Sequence, residues 1–193
     1  MGTPLLGLFP FVTMFLVTSI TMLRERTSGT LERLMTMPLA KLDLLAGYGL
    51  AFGLVAAVQA TVVSLLAFGP LGLEVAGPKP LVVVLAVANA ILGCALGLFV
   101  SAFAGSEFQA VQFMPAVVFP QILLCGLFVA RDEMADWLRV VSAFLPLTYA
   151  YDALARTAAN DLDVRFAVDV VVVAGCIAAA LALGAATLRR RTA

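Results

Sequence analysis

The chain has 193 residues, of which 63% are hydrophobic and only 12% are charged. A soluble domain is about 45–50% apolar and about 25% charged, so this composition excludes a water-soluble enzyme and a disordered tail and indicates one membrane domain over residues 1–193. The 12 basic and 12 acidic residues balance, so nothing suggests a nucleic-acid-binding surface.

Five uncharged stretches are long enough to cross a bilayer, whose core of about 30 Å needs about 20 helical residues. These stretches are continuously apolar and not alternating, so they predict helices and not strands of a barrel. The predicted spans are Pro4–Leu23, Leu44–Phe68, Leu81–Ala104, Val111–Ala130 and Phe166–Leu188. The predicted fold class is therefore all-α, a polytopic membrane helical bundle.

The link at residues 24–43, between the first two spans, predicts a short amphipathic helix at the membrane surface. Ser28 and Gly29 interrupt the first span, Thr30 can cap a new helix, and Pro38 ends it. Its two faces are Leu31, Leu34 and Met35 against Glu32 and Arg33. Spacing alone favours an interfacial anchor over a docking element for a cytoplasmic partner.

The segment 131–165 predicts two short amphipathic helices that Pro146 separates. The apolar stripe of the first helix comprises Met134, Trp137, Leu138, Val141, Phe144 and Leu145. The second helix carries the stripe Leu147, Tyr151 and Leu154 and is expected to pair Asp152 with Arg156 at i, i+4. Trp137, Tyr149 and Tyr151 suit a membrane interface. Composition alone leaves a plain interfacial belt and a gate equally open. The stripe is long enough to rest on the spans, and a gate would bury it on closing and expose part of it on opening.

Few polar residues lie within the spans. The amides are Gln59, Asn89, Gln112 and Gln121, and Asp169 lies near the outer end of the last span, within reach of headgroups. Buried amides in membranes more often join helices than line a path, so the structural role is favoured. Two small-residue faces, at residues 49–53 and 93–97, have the G-x-x-x-G spacing that suits close helix packing.

The basic residues set the predicted orientation. They crowd residues 24–43 and follow the last span at 189–191, so these segments are predicted to be cytoplasmic, with 69–80 and 131–165 external. Residue 1 is then external. Either a preceding first span is missing from this sequence, which we favour, or the protein inserts with its N-terminus outside.

Several absences bear on chemistry. The sequence has no histidine, P-loop motif or H-E-x-x-H motif, and Cys94, Cys125 and Cys176 lie far apart in apolar runs. We expect inert packed thiols, no bound metal or cofactor, and no enzymatic activity in this chain.

Three motifs in order are recognisable. They are RERTSGTLERL at 24–34 continuing through MPL at 37–39, SEFQA at 106–110 before a proline-bearing span, and LCGLF at 124–128 leading to FLPLTY at 144–149 and YDALAR at 151–156. Together they resemble type 2 ABC transporter permeases, and the bacterial daunorubicin-resistance branch of drug exporters most of all. The resemblance covers nearly the whole chain. The sequence departs from the family pattern at its start, where the first of the usual six spans is absent.

The resemblance implies two permease chains, as a homodimer or pseudo-dimer, and two cytoplasmic ATP-binding subunits that hold ATP and Mg. It makes the inner helix a coupling helix that docks on the ATPase, with the residues Arg26, Gly29, Thr30, Leu31, Glu32, Arg33, Leu34 and Met35. It makes the outer helices a gate, with the residues Met134, Trp137, Leu138, Val141, Phe144, Pro146, Tyr149 and Tyr151.

The function expected from the resemblance is that of a permease subunit in the bacterial inner membrane, with a cytoplasmic C-terminus. It would export a hydrophobic or amphipathic molecule, drug-like or lipid, because the path has few amides. Export of a lipid-linked glycan or polysaccharide and a non-transporting scaffold remain as alternatives. An intramembrane enzyme would need convergent acidic or nucleophilic residues, which the spans lack.

Overall fold

The structure is a computed structural model that describes residues 2–29 and 41–187. Within these ranges the chain is helical, with no strand, and the predicted all-α class is confirmed. The helices are α1 (Gly2–Thr27), α2 (Lys41–Phe68), α3 (Lys79–Ser101), α4 (Glu107–Leu124), α5 (Asp136–Ser142), α6 (Pro146–Ala159) and α7 (Val164–Thr187).

Four helices of the described ranges are long and apolar enough to cross a membrane, where the sequence predicted five spans. They are Gly2–Thr27, Gly47–Phe68, Lys79–Ser101 and Val164–Gly184. The predicted span Val111–Ala130 is instead the 18-residue helix α4, whose length of about 27 Å is just under the bilayer core. Its bounds differ because Ser106 caps an earlier start and Gly126, with a φ of 103°, follows its end. Glutamines within α4 also make it less apolar than the four spans.

The closest helix pair is α1 with α3, and two glycines permit it. A Cβ at Gly93 would lie 2.2 Å from the carbonyl oxygen of Phe11, and a Cβ at Gly97 would lie 2.6 Å from that of Phe15. Both phenylalanines are fully buried at the centre of the core. The predicted packing role of residues 93–97 is therefore confirmed.

The second small-residue face packs against no other helix in the part of the chain that the structure describes. Neither Gly49 nor Gly53 has an atom within 4 Å of an added Cβ. The helix that carries them, α2, and the last helix, α7, lie at the periphery, with only 22% and 17% of their apolar segments buried. Their outer faces are therefore available to lipid or to another chain.

Gly93→Ala should lower the free energy of unfolding by about 1–3 kcal/mol, because the added methyl group collides with backbone that cannot move aside cheaply. Gly53→Ala, with open space around it, should raise that free energy by about 0.5–1 kcal/mol. Denaturant unfolding of the purified protein measures both. Equal effects of the two substitutions would contradict the packing.

Candidate functional site

Two of the sequence motifs meet at one end of the bundle. Arg24, at the end of α1, forms a bidentate ion pair with Glu107, the first residue of α4, with Nε–Oε1 at 2.7 Å and Nη2–Oε2 at 2.9 Å. Their side chains are 64% and 53% exposed, so the pair adds little stability, but its fork geometry fixes the orientation of the two helix ends. The pair was not predicted from the sequence, in which its only signal is two opposite charges near the ends of predicted spans.

The same end is shaped by local capping. The Ser106 hydroxyl accepts a hydrogen bond from the Gln109 backbone N–H at 3.2 Å, and the Gln109 side chain accepts one from the Gly105 N–H at 2.8 Å. These reciprocal bonds satisfy free backbone donors at the start of α4. The SEFQA motif is therefore a helix start that holds Glu107 beside Arg24.

The predicted coupling helix falls mostly outside the described residues, which include neither Thr30, Leu31, Glu32, Arg33, Leu34 nor Met35. Its described beginning behaves as predicted, because α1 ends at Thr27 and Gly29 has a φ of 76°, which favours glycine. Arg26, in the last turn of α1, is half-buried, and its Nε is buried without a hydrogen-bond partner among the described residues.

At the other end, the two predicted amphipathic helices are confirmed as α5 and α6, and Pro146 is the first residue of α6. Leu147 and Leu154 are buried and Tyr151 is half-buried, as the second stripe predicted. Side chains in the first turn of α6 hydrogen-bond to the end of α5 and fix the angle between the two helices. The Thr148 hydroxyl donates to the Ser142 carbonyl oxygen and the Tyr149 hydroxyl to that of Ala143, each at 2.8 Å.

The first stripe is only partly covered by the spans of its own chain. Met134 is buried and Leu138 half-buried, but Trp137, Val141 and Phe144 are exposed, Phe144 by 83%. The reason is geometric: α5 has only seven residues and follows the turn at Gly126, so one side of it touches the bundle while the other faces away.

A network of ion pairs joins the C-terminal part of α6 to the link that follows it and to the start of α7. Arg156 lies 3.3 Å from carboxylate oxygens of Asp161, Asp163 and Asp169, through Nη1 for the first two and Nε for the third. Asp169, expected to reach headgroups, is instead buried against this guanidinium.

The predicted pairing of Asp152 with Arg156 is wrong as a direct contact. Asp152 pairs with Arg131 at 3.0 Å, because the turn after α4 brings Arg131 over α6. Burial raises the pKa of the Asp152 carboxyl, and the hydrogen bond from Arg131 opposes that rise.

The loop between α2 and α3 is tied to the same end of α6. The Ala76 N–H donates to the Ala158 carbonyl oxygen at 3.0 Å. A Cβ at Gly77 would lie 1.9 Å from the Thr157 carbonyl oxygen, so only glycine fits there. The loop that precedes α3 is therefore held against the end of α6 by direct contacts. The link from α6 to α7 is held there by the ion pairs of Arg156.

The four span amides have different surroundings. Gln59 donates to the Thr13 hydroxyl and joins α2 to α1, and Gln121 accepts from the Leu147 N–H at 3.4 Å and joins α4 to the first turn of α6. Gln112 is exposed on α4. Asn89 is only 3% exposed, and its side chain makes no hydrogen bond among the described residues.

The comparisons with known proteins agree with this architecture. The family model described as "ABC-2 type transporter" matches residues 4–157. ABC transporter G family member 20 of Dictyostelium discoideum is 28% identical over 138 residues, which cover 72% of this chain and 19% of that protein. The probable multidrug ABC transporter permease YbhR of Escherichia coli is 26% identical over 148 residues, 77% of this chain and 40% of that protein. The chain thus spans less than half the length of these curated relatives.

Arg156→Gln should lower the free energy of unfolding by about 1–3 kcal/mol, because it leaves the buried Asp169 carboxylate without its cation. Arg139→Gln removes an exposed pair with Asp136 on α5 and should change that free energy by about 0.5 kcal/mol or less. The measurement is equilibrium unfolding of both variants. A loss at position 139 as large as that at position 156 would contradict the structural role of the network.

Proposed function

The chain belongs to the ABC-2 type transporter family, and from this premise we propose that it is the membrane-spanning part of an ATP-driven exporter of hydrophobic or amphipathic molecules. The observation that carries the proposal is the family match over residues 4–157, which includes the first three of the four spans. The apolar bundle supports the cargo class, because its spans offer few polar groups to a hydrophilic solute. One relative is named a probable multidrug permease, which favours drug-like cargo. The daunorubicin branch stays a prediction.

We propose that ATP and Mg bind to two partner subunits and not to this chain, whose sequence has no P-loop motif. A second permease chain would complete the pathway. The peripheral position of α2 and α7 supports this, because both helices leave long apolar faces uncovered. Lipid would cover whatever the second chain leaves free.

The orientation that we propose places residues 24–43 and the C-terminus in the bacterial cytoplasm, following the basic residues. The Arg24–Glu107 pair then lies at the cytoplasmic end, where it joins the end of α1, just before the predicted coupling helix, to α4. Motion of a docked ATPase would reach α4 through this pair as well as through α1. The network around Arg156 then lies at the external end.

Reversing one charge of the pair, in Arg24→Glu or Glu107→Arg, should reduce severalfold the ATP hydrolysis that cargo stimulates in the assembled transporter. Combining the two should restore it, because the pair re-forms with opposite polarity. Both side chains are exposed, so stability should change by about 0.5 kcal/mol or less. The measurement is ATP hydrolysis in proteoliposomes with and without cargo.

The matched control reverses the exposed pair Asp136–Arg139, at the opposite end of the bundle. That reversal should leave ATP hydrolysis unchanged. If the single variants at positions 24 and 107 also leave it unchanged, the pair does not transmit motion.

We further propose that the exposed side of α5 is part of an outer gate and meets the same helix of the second chain. A cysteine at Phe144, 83% exposed, should then form a disulfide between two chains under oxidation and stop export, while ATP binding survives. A cysteine at Phe108, 73% exposed in the first turn of α4 at the opposite end of the bundle, is the control and should not cross-link. Both variants need a background without the native cysteines. Cross-linked protein that still exports at the normal rate would show that α5 is an interfacial anchor.

A further inference from the structure

Asn89 is the one span amide of the described residues that is buried and unpartnered. Its side chain lies between helices, close enough to α1 that a Cβ on Gly7 would lie 2.2 Å from the Asn89 Nδ2 atom. An amide buried without a hydrogen bond is unfavourable, whereas Gln59 and Gln121 have found partners on neighbouring helices. The position therefore calls for a hydrogen-bonding group that residues 2–29 and 41–187 do not supply.

A cavity beside this amide has room for such a group. It has a volume of about 90 Å³ and lies between α3, α6 and α7. Its wall includes Leu85, Asn89, Ala153, Val170, Val173 and Ala174. Ala150 and Ala153 on α6 and Ala174 on α7 leave this space open, because a longer side chain at any of these positions would fill it.

Water alone fits this cavity poorly. An ordered buried water is held by about two to four polar partners, and Asn89 is the only polar side chain in the wall. A smaller cavity of about 10 Å³ on the other side of Asn89 is lined by Tyr151 as well, and there one water has space and two polar side chains. The larger cavity is instead suited to an apolar molecule with a single polar atom.

The wall also limits the charge of the occupant. No charged side chain lines the cavity. The ionised groups next in sequence to its lining residues, Asp152 and Asp169, are engaged in ion pairs with Arg131 and Arg156. An ionised ligand group would lie here without a counter-charge, which is costly in an apolar surrounding.

We propose that this cavity binds the neutral, apolar end of an amphipathic cargo molecule, with a hydroxyl or carbonyl group of the cargo hydrogen-bonded to Asn89. The inference rests on the proposed transport function and names the part of the cargo that the chain recognises. The volume is below that of a ~150 Å³ cavity that holds benzene, so the site takes a short alkyl segment and not a whole drug. The remainder of the cargo lies outside, between the helices and lipid or the second chain.

The test compares two photoreactive probes that differ in one polar group, a diazirine-bearing decanol and the matching decane. Each is irradiated with the full-length protein in lipid nanodiscs, without ATP-binding subunits, and labelled peptides are mapped by mass spectrometry. The alcohol should label residues 150–153 and 170–177 roughly two- to tenfold more than the alkane, the range that one hydrogen bond provides. Asn89→Leu should remove this preference and leave alkane labelling in place.

Two further variants locate the site. Ala174→Phe fills the cavity and should reduce labelling of these residues by both probes, with Ala153→Val as a milder filling if the larger one does not fold. Gln112→Leu removes an exposed amide from α4 and is the matched control, so its labelling should equal that of the unaltered protein.

Equal labelling by alcohol and alkane in the unaltered protein would overturn the role of Asn89. Undiminished labelling in both filled variants would overturn the cavity as the binding site. Because the assay needs neither ATP nor a partner, its result is independent of the coupling measurements at Arg24 and Glu107. Failure of the transport proposal and failure of the binding proposal are thereby distinguishable.

Discussion

The close approach of α1 and α3 is the contact on which the rest of the bundle depends. Gly93 and Gly97 let the α3 backbone touch the carbonyl oxygens of Phe11 and Phe15. In a bilayer the lipid tails are as apolar as leucine, so van der Waals packing of this kind, and not hydrophobic burial, holds helices together. The two phenylalanine side chains then become the centre around which α4, α6 and α7 place Val118, Leu147, Ala150 and Val173. A bulky side chain at position 93 or 97 would move the two helices apart and open the core.

Around this centre the charges are confined to the two ends, as the cost of ionised groups in an apolar medium requires. At one end the Arg24–Glu107 pair is exposed and simple, and it can be broken and re-formed with little change in free energy. At the other end Arg156 binds three carboxylates and Arg131 binds Asp152, with both arginines largely buried. The difference suits the proposed roles of the two ends. The cytoplasmic end would move with an ATPase, and the external end would keep α6 and α7 in a fixed arrangement.

The sequence predicted the helices well because an uncharged stretch of about 20 residues has few alternatives in a membrane. It predicted equal roles for the glycines at 49–53 and 93–97, which the structure separates, because a spacing shows that a face is smooth and not which helix covers it. The same limit applies to the stripe on α5, whose pattern is apolar although Trp137 and Phe144 face outward. The partners of Arg156 were not predicted, because Asp161 and Asp169 come close to it only when α6 and α7 pack against each other. The amides could be found from sequence, but the lack of a partner for Asn89 is a property of the packed bundle.

The position of the Asn89 cavity follows from how α6 is held. Hydrogen bonds from Thr148 and Tyr149 fasten its beginning to the end of α5, while Arg156 and the close contact of Thr157 with Gly77 fasten its end. Its middle, Ala150 to Ala153, is thus a fixed wall of the cavity. The opposite wall, α3, is equally fixed, because it packs backbone to backbone against α1. The third wall is α7, which is buried over only 17% of its apolar segment and is joined to α6 by apolar packing and by the ion pair of Asp169 with Arg156. If the cavity widens to admit a longer apolar group, we therefore expect α7, less buried than α3, to be the wall that moves, with the ion pair between Asp169 and Arg156 holding one end in place.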